Sequence, residues 1–312
     1  MELQDRHDPL TRAAIRHGSD KYGGHLYTPT YHWLFKDLRE KPLRLLEIGI
    51  GGYGNERAGG RGLRMWAEYF PYADIIGLDL NPKTLPVPAR VKLVQGSQID
   101  EAVLARITQE HGPFDIIIDD GSHIVSHMID TFKFLYPRMA PNGIYAIEDT
   151  QTSFLPALGG RPDGKDTIFE FTHRVSLAMH TLEGYADPLA DPLYNRLGQM
   201  TLSAAIYRNI AVFQRGANTY PSNHGLDAWD GEVAAVFNGI AAEAARNPSP
   251  YDTLSRIDML IWARRINEAE RLALETAERH PRNADLLHEL VRMMEWAQSD
   301  TVRAKLVSML DG

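Results

Sequence analysis

The chain has 312 residues, 44% of them apolar and 24% charged, enough to build one large core with room for a smaller companion. It contains no cysteine, which excludes a disulfide framework, thiolate metal sites and a cysteine nucleophile, and fits a reducing cytoplasm. A net charge of −8 argues against nucleic-acid binding through a basic surface, and no apolar run approaches the roughly 18 to 20 residues that span a bilayer, so a small or neutral ligand is expected and no membrane.

Residues 1–40 read as an N-terminal helical cap segment. From Pro42 the pattern changes to short apolar runs: LRLLEIGI (43–50), ADIIGLDL (73–80), VKLVQG (91–96), FDIIIDD (114–120) and GIYAIED (143–149). Each predicts a strand buried on both faces, the pattern of a parallel sheet. Amphipathic helices are expected between them over 62–70, 100–111 and 125–139, so strand and helix alternate and the core is α/β. The Gly/Pro-rich stretch after Asp149 reads as a long loop of lid-like length, followed by a helix near Ile168 to Leu182. MTLSAAIYRNIAVFQRG (200–216) predicts two strands around Arg208-Asn209, an antiparallel hairpin at the sheet edge. Residues 41–226 thus form one α/β domain. Residues 227–312, rich in Ala, Glu, Leu and Arg, form a helical extension, with a helical hairpin that turns at Pro281 and Asn283. The extension is expected to serve dimerisation.

The first strand empties into EIGIGGYGNERAGGRG (47–62). Gly49, Gly51 and Gly54 satisfy the dinucleotide fingerprint, so an NAD-dependent sugar oxidoreductase is one reading. The hydrophilic insertion 55–61 delays the helix and leaves no immediate phosphate-binding helix end. The other reading is E-x-G-x-G, Glu47-Ile48-Gly49-Ile50-Gly51, where bare backbone lets S-adenosylmethionine lie near the strand end. Asp79 then meets the ribose hydroxyls, and Gln95, Ser97 or Gln98 the adenine edge.

Two further strand ends are acidic: Asp119-Asp120-Gly-Ser-His123 and Glu148-Asp149. In neighbouring strands these carboxylates repel, and a bound cation is a common remedy. Oxygen ligands favour Mg²⁺, which can grip adjacent substrate hydroxyls and acidify one of them. His123, three residues past Asp120, is placed to take the proton. Asp119 reads as a supporting or capping group.

Together, SDKYGGHLYTPTYHWLF (19–35), residues 45–80, 116–154 and YRNIAVFQRGANTYPSN (207–223) resemble the metal-dependent sugar O-methyltransferases of natural-product tailoring. The resemblance implies a Rossmann-like class I methyltransferase fold using S-adenosylmethionine and Mg²⁺. It also implies metal ligands at Asp120, Glu148 and Asp149, a catalytic base at His123, and a cofactor loop from Glu47 through Gly51 with Asp79 at the ribose. Tyr27 and Thr28 become candidates for cofactor or substrate contacts. The implied acceptor is a saccharide with vicinal hydroxyls, and the implied assembly a homo-oligomer. Macrolide-acting members carry a large N-terminal auxiliary domain where residues 1–42 stand here, and the helical extension does not map onto the family. A degenerate methyltransferase-like interaction module is the non-enzymatic alternative, and the intact set Asp120, His123, Glu148 and Asp149 argues against it.

Overall fold

The computed structural model describes residues 6–181, 189–218, 250–262 and 264–310, together with the isolated helical positions 235, 239 and 242. The chain divides into two compact units, Met1–Thr219 and Tyr220–Gly312. Among the described residues, no helix is long and apolar enough to cross a membrane.

The first unit is built on seven strands: β1 Arg44–Ile48, β2 Asp74–Asp79, β3 Val91–Gln95, β4 Ile116–Asp119, β5 Ile144–Ile147, β6 Thr201–Tyr207 and β7 Ile210–Arg215. Their order is β3-β2-β1-β4-β5-β7-β6. Strands β1 to β5 are parallel, while β7 runs antiparallel to β5 and β6 antiparallel to β7, the edge hairpin expected from the sequence. Its turn is tight because Asn209 adopts a left-handed conformation, φ 62°, which asparagine tolerates better than most residues. This is the Rossmann-like, mostly parallel sheet expected from the sequence, with an antiparallel edge.

The apolar runs are continuous because successive residues serve opposite faces. Leu45, Ile75, Ile116 and Ile118 pack on one face with Leu10, Tyr31, Trp66 and Phe70. Leu46, Ile48, Ile76, Leu78 and Ile117 pack on the other with Phe132, Tyr136 and Phe171. Emptying one such position, as in Leu46→Ala, costs about 2–5 kcal/mol.

Two helices precede the sheet, α1 Pro9–His17 and α2 Thr28–Phe35. The Asp8 carboxylate accepts from the Leu10 and Thr11 amides, a cap that stabilises α1 by about 1 kcal/mol, and Gly18 ends the helix at φ 63°. Along the sheet follow α3 Arg61–Tyr69, α4 Glu101–His111, α5 Val125–Leu135, α6 Ile168–Ala178 and α7 Pro192–Gln199. The helix expected over 125–139 stops at Leu135 and tightens into a 3-10 turn, Tyr136–Arg138, because Pro137 has no amide to continue the ladder. The expected loop after Asp149 contains two further 3-10 turns, Thr150–Phe154 and Pro156–Leu158. Helix α7 was not foreseen, although Asp191, which caps it, and Pro192 at its first position are a helix-start signal.

The second unit contains α8 Pro250–Trp262, α9 Ile266–Arg279, α10 Ala284–Trp296 and α11 Asp300–Leu310. They share a core of Ile257, Ala269, Ala273, Leu286, Leu290, Met294 and Leu306. The Asn283 side chain accepts from the Leu286 amide and caps α10 at the turn expected there.

Strand β1 sits at the switch point of the sheet, with β2 and β3 on one side and β4 and β5 on the other. Ligands of open α/β sheets bind outside the carboxyl ends of strands at such a point.

Candidate active site

Beyond β1 the chain turns sharply at Gly49, φ 89°, whose amide donates to the Leu78 carbonyl. A Cβ here would lie 2.0 Å from the Asp120 carbonyl oxygen, so the β1 and β4 loops touch at a point only glycine permits. Gly51 also has positive φ, 75°, but its Cβ direction meets nothing within 4 Å. It offers bare backbone to whatever lies over the strand end. Gly54 remains in the loop, well before α3 begins at Arg61, so it does not do the work of the third fingerprint glycine.

Asp120 and Asp149 reach the crevice from the ends of β4 and β5. Strand register brings these ends together: Asp119 pairs with Ile147, and the Glu148 amide donates to the Asp119 carbonyl. Asp120, His123 and Asp149 each offer one ligand atom, all within 4.8 Å of one another. His123 Nε2 lies 3.6 Å from Asp149 Oδ2 and 4.0 Å from Asp120 Oδ1. Both His123 (φ 57°) and Asp149 (φ 52°) hold left-handed backbone, a conformation that costs of order 1 kcal/mol or more and often marks functional positions.

Glu148 forms the floor of the cluster and is 1% exposed. The Tyr31 hydroxyl donates to its Oε1 at 2.8 Å and Lys21 Nζ to its Oε2 at 2.7 Å. Lys21 also donates to Asp120 Oδ2 at 2.6 Å and stands 3.4 Å from Glu47 Oε1. Like charges about 4 Å apart repel by roughly 4 kcal/mol at an effective dielectric near 20, so carboxylates packed this closely need a compensating cation. Lys21 supplies one. Burial alone would strip its proton, but the surrounding Asp120, Glu148 and Glu47 outweigh that and hold its pKa well above the usual lysine value.

Asp149 is tuned the other way. Burial raises its pKa, but the Tyr27 and Gln151 hydrogen bonds and the neighbouring His123 and His25 outweigh that and bring it below the ordinary value. The Tyr27 hydroxyl donates to Asp149 Oδ1 at 2.5 Å, and His25 stacks on the Tyr27 ring with Nδ1 3.7 Å from the same oxygen. The cluster therefore keeps an ionised, partly exposed carboxylate beside an imidazole. The donor set suits a hard divalent cation, with charged oxygens in excess of resident positive charge.

The residues expected at the cofactor do not all face the open glycine loop. Glu47 faces away from the open loop: β1 alternation turns it to the α3 side, where Trp66 Nε1 donates to it at 3.2 Å and burial pushes its carboxyl up to about 7. Gln98 is turned inward. Its amide nitrogen donates to Asp119 Oδ1 and Thr131 Oγ1, and its oxygen accepts from the Ser122 amide, so its polar atoms are committed to the β4 loop rather than to an adenine edge. Thr28 is fully buried at the start of α2, its hydroxyl 2.7 Å from that of Thr11, and does not reach the crevice. Tyr27, 2% exposed, reaches the acidic cluster instead of an open surface. Asp79 lies at the β2 end with Oδ2 accepting from the Ile50 amide and Oδ1 from Asn81, which fastens the glycine loop. Gln95 is exposed beyond it, with Ser97 partly exposed after β3. Asp119 is a supporting group: it is 1% exposed and accepts from Tyr145 and Gln98. Of the aromatic residues that the sequence offers for stacking on a sugar face, Phe154, Phe169 and Tyr185, the first two stack on each other at 4.8 Å and Tyr185 lies outside the described residues. Lys21 and Tyr31 were missed as site residues. Their one signal was a lysine amid glycine and aromatic residues, KYGGHLYTPTY, on a stretch that needs no charge to pack.

No family model matches the chain. Over 215 residues it is 41% identical to the 8-demethyl-8-(2-methoxy-alpha-L-rhamnosyl)-tetracenomycin-C 3'-O-methyltransferase of Streptomyces olivaceus, covering 67% of this chain and 54% of the relative. Over 228 residues it is 36% identical to the mycinamicin VI 2''-O-methyltransferase of Micromonospora griseorubida, covering 72% of this chain and 56% of the relative. A solved structure of MycE methyltransferase from the mycinamycin biosynthetic pathway, in complex with Mg, SAH and mycinamycin VI, matches with TM-score 0.61 and 34% identity over 69% of this chain and 56% of that one. A second MycE structure, with Mg and SAH, gives TM-score 0.64 and 33% identity over 78% and 61%. The chain spans little more than half the length of these relatives. In sequence and in fold, two thirds or more of the chain is similar to the sugar O-methyltransferases.

Proposed function

We propose that the chain is an S-adenosylmethionine-dependent O-methyltransferase that methylates a sugar hydroxyl, with a divalent cation, Mg²⁺ by the chemistry of the donors, at the acidic cluster. The observation that carries this reading is the meeting of Asp120, His123 and Asp149 at the sheet's switch point, beside the open glycine turn, in a chain related to sugar O-methyltransferases. The acceptor is read as a saccharide unit with vicinal hydroxyls, carried on a natural product as in the names of the relatives. The cysteine-free composition supports a cytoplasmic setting.

Asp120 and Asp149 would hold the cation, which when bound supplies charge that anchors two hydroxyls and acidifies one, while Glu148, expected as the third ligand, lies buried beneath them with both oxygens accepting from Tyr31 and Lys21. Gly51 would keep the ground over β1 clear for the methyl donor, and Asp79, which ends β2 and accepts from the Ile50 amide of the same glycine loop, stands beside it. His123 Nε2 receives the hydroxyl proton. The oxygen–methyl bond forms as the sulfonium–methyl bond breaks, leaving S-adenosylhomocysteine and a protonated His123. Alignment of the two reactants is the larger part of what the protein adds, because the donor is intrinsically reactive.

Calorimetric titration with S-adenosylhomocysteine and separately with NAD⁺, each with Mg²⁺ and with EDTA, tests the reading. S-adenosylhomocysteine binding without a response to NAD⁺ is expected, followed by Mg²⁺-dependent methylation of glycosides. Binding of NAD⁺ alone would overturn it.

A further inference from the structure

Each of the two carboxylates that face His123 is gripped by one oxygen and left open at the other. Lys21 takes Asp120 Oδ2 at 2.6 Å, and Oδ1 is the oxygen turned toward His123. Tyr27 takes Asp149 Oδ1 at 2.5 Å, and Oδ2 is the oxygen turned toward His123. Both grips come from one short segment, closed on itself by the Tyr27 amide donating to the Lys21 carbonyl at 3.0 Å and the His25 amide to the Asp20 carbonyl at 2.8 Å. Both residues are 2% exposed, so each grip is made from a side chain that the fold itself holds in place. The three protons of Lys21 face three carboxylates, Asp120, Glu148 and Glu47, which leaves none for a substrate.

We propose that Lys21 and Tyr27 are paired positioning residues that each pin one oxygen of a metal-binding carboxylate and so aim the other at the cation. The proposal rests on the metal-dependent reading above and extends it to two residues outside the ligand set. A carboxylate free to rotate must be ordered by the ion itself, which weakens binding, and outer partners of ligands typically govern about 10–100-fold in metal affinity.

Charge and positioning predict opposite signs at Lys21. Removing a buried positive charge beside the cation tightens metal binding if charge is all that matters, and loosens it if the lysine aims Asp120. The test is Mn²⁺ binding followed by electron paramagnetic resonance in wild type, Lys21→Met, Tyr27→Phe and Asp149→Asn, with thermal melting of each metal-free protein. Both positioning variants are expected to bind Mn²⁺ about tenfold more weakly, with a broadened spectrum from a less uniform site. Tighter binding by Lys21→Met, or binding by Tyr27→Phe within about twofold of wild type, overturns the proposal, on the scale of outer-partner effects expected here. Tyr27→Phe removes a single hydroxyl, so it decides the matter should Lys21→Met not fold. A wild type that binds no Mn²⁺, or an Asp149→Asn variant that binds it normally, overturns the metal reading itself and the proposal with it.

Discussion

Gly49 and Asp120 touch across the switch point: a Cβ on Gly49 would lie 2.0 Å from the Asp120 carbonyl oxygen and 2.7 Å from its carbonyl carbon. The obstacle is backbone, which cannot swing aside, and the φ of 89° is itself unfavourable for any side chain. Gly49→Ala must therefore push the β1 and β4 loops apart. A loss of about 3 kcal/mol or more is expected, from strain plus displaced contacts. Gly51→Ala keeps the unfavourable φ of 75° but meets open space, so its cost is nearer 1 kcal/mol. Its methyl group instead enters the open space that the proposed function gives to the methyl donor. Chemical denaturation with S-adenosylhomocysteine titration checks the pair: Gly49→Ala loses stability first, and Gly51→Ala loses affinity first.

His123 is fixed by more than its own ring. The Thr152 hydroxyl donates to its carbonyl at 3.1 Å, tying the β4 loop to the turn after β5. Replacing the imidazole with a methyl group leaves that tie and the glycine loop in place while removing the proton acceptor. His123→Ala is expected to cut kcat by about 10²–10⁴-fold, the usual contribution of a general base, with S-adenosylhomocysteine affinity unchanged. Steady-state rates across pH, with parallel calorimetry, check it, and near wild-type turnover at every pH would remove His123 from the mechanism.

The sheet was legible because strands buried on both faces must be apolar throughout, and β1, β2 and β4 show such runs. The acidic strand ends were legible for the converse reason, since Asp120 and Asp149 break those runs where nothing in a core requires it. Side-chain direction was harder to read. Glu47 sits two residues before the turn at Gly49, and its parity along β1 sends it to the Trp66 side, while Gln98 and Thr28 are claimed by neighbours, Thr131 and Thr11, that no local pattern indicates. Lys21 lies 99 positions from Asp120 and 127 from Glu148, so its role exists only once the sheet has brought the strand ends to it.

Asp119 gives the metal-free protein a signature in pH. Burial raises its carboxyl to about 7, against the lowering pull of Tyr145, the Gly121 amide and Gln98, from an ordinary value of 3.8. Its folded pKa is thus above its unfolded one, and between about pH 4 and 7 the folded state keeps a proton that the unfolded chain has released. The stabilisation it contributes is complete below pH 4 and lost as pH rises through 7, on the order of a few kcal/mol in all. Denaturation in EDTA at pH 5 and pH 8 should show wild type losing more stability over that interval than Asp119→Asn. An equal loss in both would mean that Asp119 does not titrate there.

Phe154 stands at the end of the 3-10 turn that Thr152 fastens to His123, where the proposed function puts the acceptor. Its ring stacks on Phe169 at an interplanar angle of 23°, yet the residue stays 43% exposed, an apolar surface that the fold itself leaves uncovered. A ring held by a partner loses little freedom when a sugar face or aglycone settles on it, and such contacts contribute about 0.5–1.5 kcal/mol. Phe154→Ala is therefore expected to raise the acceptor KM by about three- to tenfold while kcat and S-adenosylhomocysteine affinity hold, the pattern of lost uniform binding. Initial rates against a panel of glycosides, varying the acceptor at saturating donor, make the measurement. A fall in kcat with KM unchanged would place Phe154 in support of His123 rather than at the acceptor.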